Sequence, residues 1–277
     1  MATRRDLQLA DGRRLVVHDA GGSNASDELT LLWHHGTPQT GALLDPLLAA
    51  AGVRSLRLVS YARPSYGGSS PNRGRDVASA AADVARVADA FGLERFMVMG
   101  ASGGGPHALA CAALLPDRVA GAVTFASPAP YTERFDWYAG MASPDGLRAA
   151  AAGREARERY AATEVFDERS FTVADWAALA GPWASLGRDA ARAGNDGPEG
   201  AIDDDVAFAV PWGFDVAEIG VPVLLIQGGQ DRIVPLSHAD ALLRTIPTAE
   251  IWLRPRDGHV SVLEACPVAM DWLRDRG

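Results

Sequence analysis

The succession of short apolar runs and helical patterns along the 277 residues predicts an α/β fold. Its form is a mostly parallel twisted sheet with an N-terminal hairpin, helices on both faces, and a helical cap inserted between the sixth and seventh strands. Three observations carry this expectation. Runs such as LTLLW (29–33), RFMVMG (95–100) and VPVLLIQ (221–227) are continuously apolar rather than alternating, as in strands covered on both faces. Helical patterns separate these runs, which requires crossovers and hence parallel pairing. The rhythm stops at Pro128 and resumes after 210, leaving a long helical stretch between two sheet strands.

In chain order, RDLQLA (5–10) and RRLVVHDA (13–20) flank Asp11-Gly12, a pair suited to a tight type I′ hairpin turn. A polar loop, GGSNASDE (21–28), precedes the strand LTLLW. A short helix is expected over 40–51, a strand in RSLRLVSY (54–61), and a longer helix over 75–91 with Val77, Ala81, Val84, Ala88 and Phe91 on one face. The strand RFMVMG, an Ala-rich helix (103–115) and the strand RVAGAVTFAS (118–127) follow. After the cap come VPVLLIQ, a helix (237–245), the strand AEIWLR (249–254) and a closing helix from about Val260 to Arg274. The core is therefore assigned to 1–130 and 211–277, and the cap (lid) to 131–210. Such an insertion is placed to cover the carboxyl edge of the sheet, where open α/β sheets take their ligands.

Composition excludes whole classes of chemistry. All 26 basic residues are arginines, so no Schiff-base lysine, Ser–Lys dyad or P-loop lysine exists. A net charge of -9 disfavours nucleic acid, whose phosphates need a basic footprint. No apolar run is long enough to span a membrane, and no apolar segment follows the N-terminal arginines, so a cytoplasmic location is expected. Cys111 and Cys266 lack metal spacing and are expected as buried free thiols. No metal or cofactor is expected, and the partner is a small-molecule substrate; oligomeric state stays open. The cap holds 15 acids against 8 arginines, most of the chain's net charge, which argues against strongly anionic substrates. Within or just after the cap, Trp137, Trp176, Trp183 and Trp212 are candidates for an apolar substrate pocket.

Local chemistry concentrates at Gly100-Ala101-Ser102-Gly103-Gly104, a G-x-S-x-G between a strand and a helix. Small residues two before and two after the serine permit a sharp turn that lifts its Oγ above the sheet, with the Gly103 N–H aimed at a developing oxyanion. A dinucleotide fingerprint can be forced onto Gly103–Ala108, but it belongs on a first βα turn; a purely structural Gly-rich turn is the other reading. Upstream, His34-His35-Gly36-Thr37-Pro38 ends a strand where a second oxyanion donor is needed, and the Thr37 N–H can supply it. Downstream, Asp231 follows VPVLLIQ and His259 follows AEIWLR, completing the order Ser…Asp…His. Ser102 is the expected nucleophile, His259 its base and Asp231 the acid that fixes the imidazole. Asp257 is the competing acid, disfavoured because it shares the loop of the base. Of the adjacent His34 and His35, one lines the oxyanion site, taken as His35, and the other fills the core. His107 is expected in the core or at the surface, His18 and His238 at the surface, and Asp203-Asp204-Asp205 in a solvated turn.

With these features in order, the chain resembles the α/β-hydrolase family over essentially its whole length. The loop Arg63-Pro64-Ser65-Tyr66-Gly67-Gly68-Ser69 is similar to the family's RPGYG-S loop, with Ala62 where an acid often precedes the arginine. The serine at the elbow separates it from haloalkane dehalogenases and epoxide hydrolases, and GASGGG departs from the elbow of proline iminopeptidases. The resemblance implies a cofactor-independent serine hydrolase for an ester, thioester or lactone of modest size, with a rate that falls below about pH 6 as the base protonates. An aminopeptidase, with Glu133 or Glu164 holding an ammonium, a C–C hydrolase, lyase or perhydrolase, and a ligand receptor on the same scaffold are the alternatives.

Overall fold

The computed structural model describes residues 2–21, 29–132 and 135–276. The polar loop after the hairpin and Glu133 fall mainly or wholly outside these. The chain opens with β1 (Thr3–Gln8) and β2 (Arg14–Asp19), then β3 (Thr30–His34), α1 (Asp45–Gly52), β4 (Arg57–Tyr61), α2 (Ser79–Ala90), β5 (Phe96–Ala101), α3 (Gly104–Leu114) and β6 (Val119–Phe125). Among the described residues five α-helices and a 3₁₀ turn (Glu168–Ser170) intervene: α4 (Asp145–Ala151), α5 (Arg154–Ala161), α6 (Val173–Ala180), α7 (Ala184–Asn195) and α8 (Glu199–Phe208). The sheet resumes with β7 (Val223–Gly228), α9 (Leu236–Thr245), β8 (Ala249–Arg254) and α10 (Cys266–Arg274).

One eight-stranded sheet runs in the order β1-β2-β4-β3-β5-β6-β7-β8. Only the pairings of β2, with β1 and with β4, are antiparallel; every later pairing is parallel. β3, β5, β6 and β7 are buried at every position, which is why they read as unbroken apolar runs. Side chains leave alternate faces. Leu32, Val59, Phe96 and Val98 pack with Val84, Leu109 and Leu242 on one face. Leu31, Trp33, Met97 and Met99 pack with Leu47, Met270 and Leu273 on the other. Each such leucine contributes about 1.5–3 kcal/mol by leaving water.

Several expectations shift. The hairpin turn is not type I′, because Gly12 (φ 87°) has the positive φ and Asp11 does not. Gly12 N–H instead donates to the Leu9 carbonyl and Leu9 N–H to that of Arg13, giving a longer loop ending in a left-handed glycine. α1 starts at Asp45 rather than 40, since the Thr40 amide and hydroxyl donate to Asp189 (2.9 and 2.5 Å) and Gly41 takes φ 84°. α2 starts at Ser79, where the Asp76 carboxylate accepts the Ser79 amide (2.8 Å). The closing helix is a 3₁₀ turn, Ser261–Ala265, followed by α10.

His238 is buried rather than at the surface: its Nδ1 accepts the Ala129 amide and its Nε2 donates to the Trp137 carbonyl. His18 is half-buried. Cys111 and Cys266 are buried free thiols.

Candidate active site

Ser102 stands between β5 and α3 with φ 51°, a left-handed conformation uncommon for a side chain with Cβ. Its amide is tied to the Phe125 carbonyl at the end of β6 (2.8 Å). The flanking glycines are there for contact. A Cβ on Gly100 would strike the backbone of Gly104, and one on Gly104 would strike the His34 and His35 carbonyls. Gly103 is the N-cap of α3, which has no side-chain cap, and the Gly105 amide donates to the Ser102 carbonyl (2.9 Å).

Beyond β6 in the same sheet, the parallel strands β7 and β8 bring Asp231 and His259 to the same carboxyl edge. Asp231 follows β7; its Oδ1 accepts the Ile233 and Val234 amides (2.8 and 2.9 Å), and its Oδ2 accepts His259 Nδ1–H (2.8 Å). That bond assigns the proton to Nδ1 and leaves Nε2 as the basic nitrogen. Burial pushes the His259 pKa down, but the Asp231 carboxylate outweighs it and Asp175 adds to the effect, so the net direction is upward. Asp257 is instead ion-paired with Arg254. The sequence reading gave no role to Gly228 and Gly229, yet a Cβ on either would hit the backbone of Pro255 or Asp257–Gly258. They let the acid loop and the base loop lie against each other.

Thr37 and Gly103, the expected oxyanion donors, lie against each other: a Cβ on Gly103 would meet the Thr37 side chain. Beneath them lies a buried charge cluster. Thr37 Oγ1 donates to Asp204 Oδ2 (2.5 Å) and accepts from Arg63 Nη2 (3.1 Å). Asp204 also accepts from Arg63 (2.6 Å), Arg75 (2.5 Å) and Tyr66 (3.0 Å). Burial opposes its charge, yet the two guanidiniums hold its carboxyl well below the usual carboxylate range. Arg63 further donates to the His35 and Gly36 carbonyls, fixing the loop that presents Thr37. His107 donates from Nδ1 to the Gly103 carbonyl (2.7 Å) and packs edge-on against Phe208.

Asp203-Asp204-Asp205 is therefore no solvated turn. It lies in α8, where Asp203 pairs with Arg154 and Asp205 with Arg157. Burial raises the Asp205 pKa to about 6 against the pull of Arg157. Asp175, Asp189, Asp203, Asp204 and Asp205 of the inserted helices are thus engaged inside the protein, whereas Asp145, Glu155, Glu158 and Glu199 of the same helices are exposed. Glu164 is engaged by Arg157 (2.8 Å).

His35 has both ring nitrogens engaged, Nδ1 with the Gly36 carbonyl (2.7 Å) and Nε2 with the Arg63 amide (3.1 Å), leaving none for a substrate. Trp183 and Trp212 are packed into the two hydrophobic layers. Trp137 is buried and donates to the Ala129 carbonyl (2.9 Å). Of the four tryptophans only Trp176, 43% accessible, has an exposed ring.

Asp175, absent from the sequence-based candidates, is fully buried on α6 and reaches the base loop. Its Oδ1 accepts the Val260 and Ser261 amides (both 2.8 Å) and the Ser261 hydroxyl (2.9 Å). Its Oδ2 accepts the Thr172 amide and hydroxyl (2.9 and 2.8 Å) as the capping box of α6. The spacing Thr172-x-x-Asp175 could have revealed the cap, but not the partners 85 and 86 positions away.

Comparison with known proteins agrees with this architecture. A non-heme chloroperoxidase of Streptomyces lividans is 29% identical over 253 residues, covering 84% of this chain and 83% of that protein. A putative carbamate hydrolase of a Caulobacter species is 29% identical over 255 residues, covering 88% of each. Among solved structures, an enol-lactonase from Burkholderia xenovorans superposes with a TM-score of 0.74 at 18% identity over 98% of both chains. A thermophilic esterase from Thermogutta terrifontis gives 0.74 at 22% identity over 99% of both. At these identities the structural likeness speaks for the fold alone. The sequence pattern of the α/β-hydrolase fold matches residues 30–265. With that match spanning every parallel strand and all three loops at the sheet edge, the chain belongs to the α/β-hydrolase fold family.

Proposed function

We propose that this hydrolase-family chain is a cofactor-independent serine hydrolase that cleaves an ester, thioester or lactone of a small to medium, largely apolar substrate through an acyl-enzyme. The observation that carries the reading is the 2.8 Å bond from His259 Nδ1 to Asp231 Oδ2, on loops at the same carboxyl sheet edge as the strained Ser102 turn. Ser102 Oγ attacks the carbonyl carbon while its proton passes to His259 Nε2; Asp231 holds the tautomer and stabilises the imidazolium. The Thr37 and Gly103 amides receive the oxyanion, where preorganised donors act most strongly. The tetrahedral adduct collapses, the alcohol or thiol leaves with the proton from His259, and water repeats the sequence on the acyl-Ser102 carbonyl. Helices α4–α8 act as the lid, and the exposed ring of Trp176 supports its assignment as a contact for an apolar group.

A panel of p-nitrophenyl esters, thioesters, lactones, a carbamate and amino-acid arylamides tests this in wild type and Ser102→Ala. Turnover of the acyl compounds that drops about 10⁴-fold or more in Ser102→Ala supports the reading. Turnover that survives the substitution removes the nucleophile. A preference for arylamides points to an aminopeptidase, and tight binding with negligible turnover to a receptor.

A further inference from the structure

We propose that Asp175 is a positioning residue for His259: carried by the inserted helices, it grips the peptide units that follow the imidazole and places a second negative charge beside the base. The inference rests on His259 being the base of the proposed hydrolase.

Geometry comes first. Asp231 holds the ring of His259, but nothing in that bond holds the loop's backbone. Asp175 does so from the opposite element, through the amides of Val260 and Ser261, the two residues after His259. Ser261 extends the grip: its hydroxyl donates to Asp175 and accepts the Gly258 amide (2.8 Å), the residue before His259. Gly258 itself must be glycine, because a Cβ there would collide with the Asp175 carboxylate. The residues flanking the base are thus anchored to one buried side chain. A carboxylate is the group that suits this place. An anion accepts five donors at once, and bonds to a charged acceptor are roughly twice as strong as neutral ones. Burial opposes its charge, yet the Ser261 and Thr172 donors keep its carboxyl below the usual carboxylate range.

Electrostatics come second. The carboxylates that act on the imidazole are Asp231 from the loop after β7 and Asp175 from α6. Asp257 on the histidine's own loop is neutralised by Arg254, Arg232 on the Asp231 loop is turned outward to the Arg169 carbonyl, and Glu264 on the following 3₁₀ turn is exposed. Both facing carboxylates favour the imidazolium that forms when Ser102 attacks.

The test is Asp175→Asn, read by NMR titration of the His259 ring and by steady-state kinetics on an activated ester. The ring should titrate at lower pH than in wild type, with kcat down about tenfold and KM within about twofold, the pattern of a misaligned base rather than a damaged binding site. Thr172→Val, which loosens the cap but keeps the carboxylate, should lower stability and leave the titration where it is. An unchanged titration and kcat in Asp175→Asn overturn the proposal. If that variant does not fold, amide exchange in the wild type decides: protection of Val260 and Ser261 comparable to the central strands supports the grip, and free exchange overturns it. The ring titration needs no turnover. A shift in an otherwise inactive protein would therefore refute the hydrolase reading and leave the positioning role standing.

Discussion

The two halves of the site are braced by the same device in different chemistry. On the base side, buried Asp175 is satisfied by amides and hydroxyls. On the oxyanion side, buried Asp204 is satisfied by two guanidiniums and two hydroxyls. Both reach down from the inserted helices to loops at the carboxyl edge of the sheet. The difference lies in what each leaves behind when removed. Loss of Asp175 strands neutral donors, whereas loss of Asp204 strands two buried cations, Arg63 and Arg75. A charge left unpaired in the interior costs more than an unmade hydrogen bond. Under the proposed mechanism, substitutions around Asp175 should chiefly change the rate, and those around Asp204 should chiefly threaten the fold.

Asp231→Asn sharpens that contrast most. The Asn carbonyl keeps the Ile233 and Val234 amides, but its amide now faces His259 Nδ1–H and forces the wrong tautomer. We expect kcat to fall about 10⁴-fold with the melting temperature nearly unchanged; a modest loss would mean that another acid orients the base. Asp204→Asn should do the reverse, costing about 3–5 kcal/mol and lowering Tm by roughly 10 °C or more in thermal unfolding. If its Tm is that of wild type, the cluster does not brace the oxyanion loop. Thr37→Val keeps the backbone N–H and deletes only the hydroxyl between Asp204 and Arg63. It should cost about 1–3 kcal/mol in denaturant unfolding and slow kcat by about tenfold or less.

The pH responses of the two sides also separate. On the base side, the carboxylates raise the His259 pKa, so the acid limb of kcat/KM lies above the ordinary histidine value of 6.5 rather than near pH 6. Elsewhere burial lowers the pKa of His34 to about 3 and of His238 to about 4, and that of His35 and His107 well below 6.5. In the unfolded chain these four take up protons near 6.5, while the native protein does not. The unfolded state then binds more protons, and stability falls as pH drops from about 6.5. His259 works in the opposite sense, since its raised pKa favours the folded state at low pH and loses that contribution as pH rises through it. The His18 pKa is lowered as well, and Asp205, raised to about 6, acts in the same sense as His259; with five imidazoles against these two groups, Tm should decline between pH 7 and pH 5. A flat profile would mean that the buried imidazoles are already protonated or solvated.

What could be read from sequence follows the range of the interactions. The G-x-S-x-G turn is local, and the clash of Gly100 with Gly104 explains why its spacing is visible in one dimension. Asp231 and His259 could be singled out because each sits in the loop that follows a strand, β7 or β8, so the strand pattern brings them to one sheet edge. Asp175 and Asp204 could not. Asp175 is a lone acid in an Ala-rich helix and Asp204 the middle of three acids, patterns that ordinarily mark a solvated face, and their decisive partners lie far away in the chain. For the same reason the three aspartates of α8 read as a turn: nothing local announces arginines at 63, 75, 154 and 157. Three of the four tryptophans, Trp137, Trp183 and Trp212, are buried, because an aromatic in an inserted segment fills a core as readily as it lines a pocket.

The central claim is that Ser102 is the nucleophile of a Ser102–His259–Asp231 triad, and covalent labelling with a fluorophosphonate tests it most directly. Peptide mapping by mass spectrometry should find one phosphonylated residue, Ser102, with labelling abolished in Ser102→Ala and strongly slowed in His259→Ala. An adduct on another serine, or a wild-type protein that stays unlabelled while folded, would contradict the account.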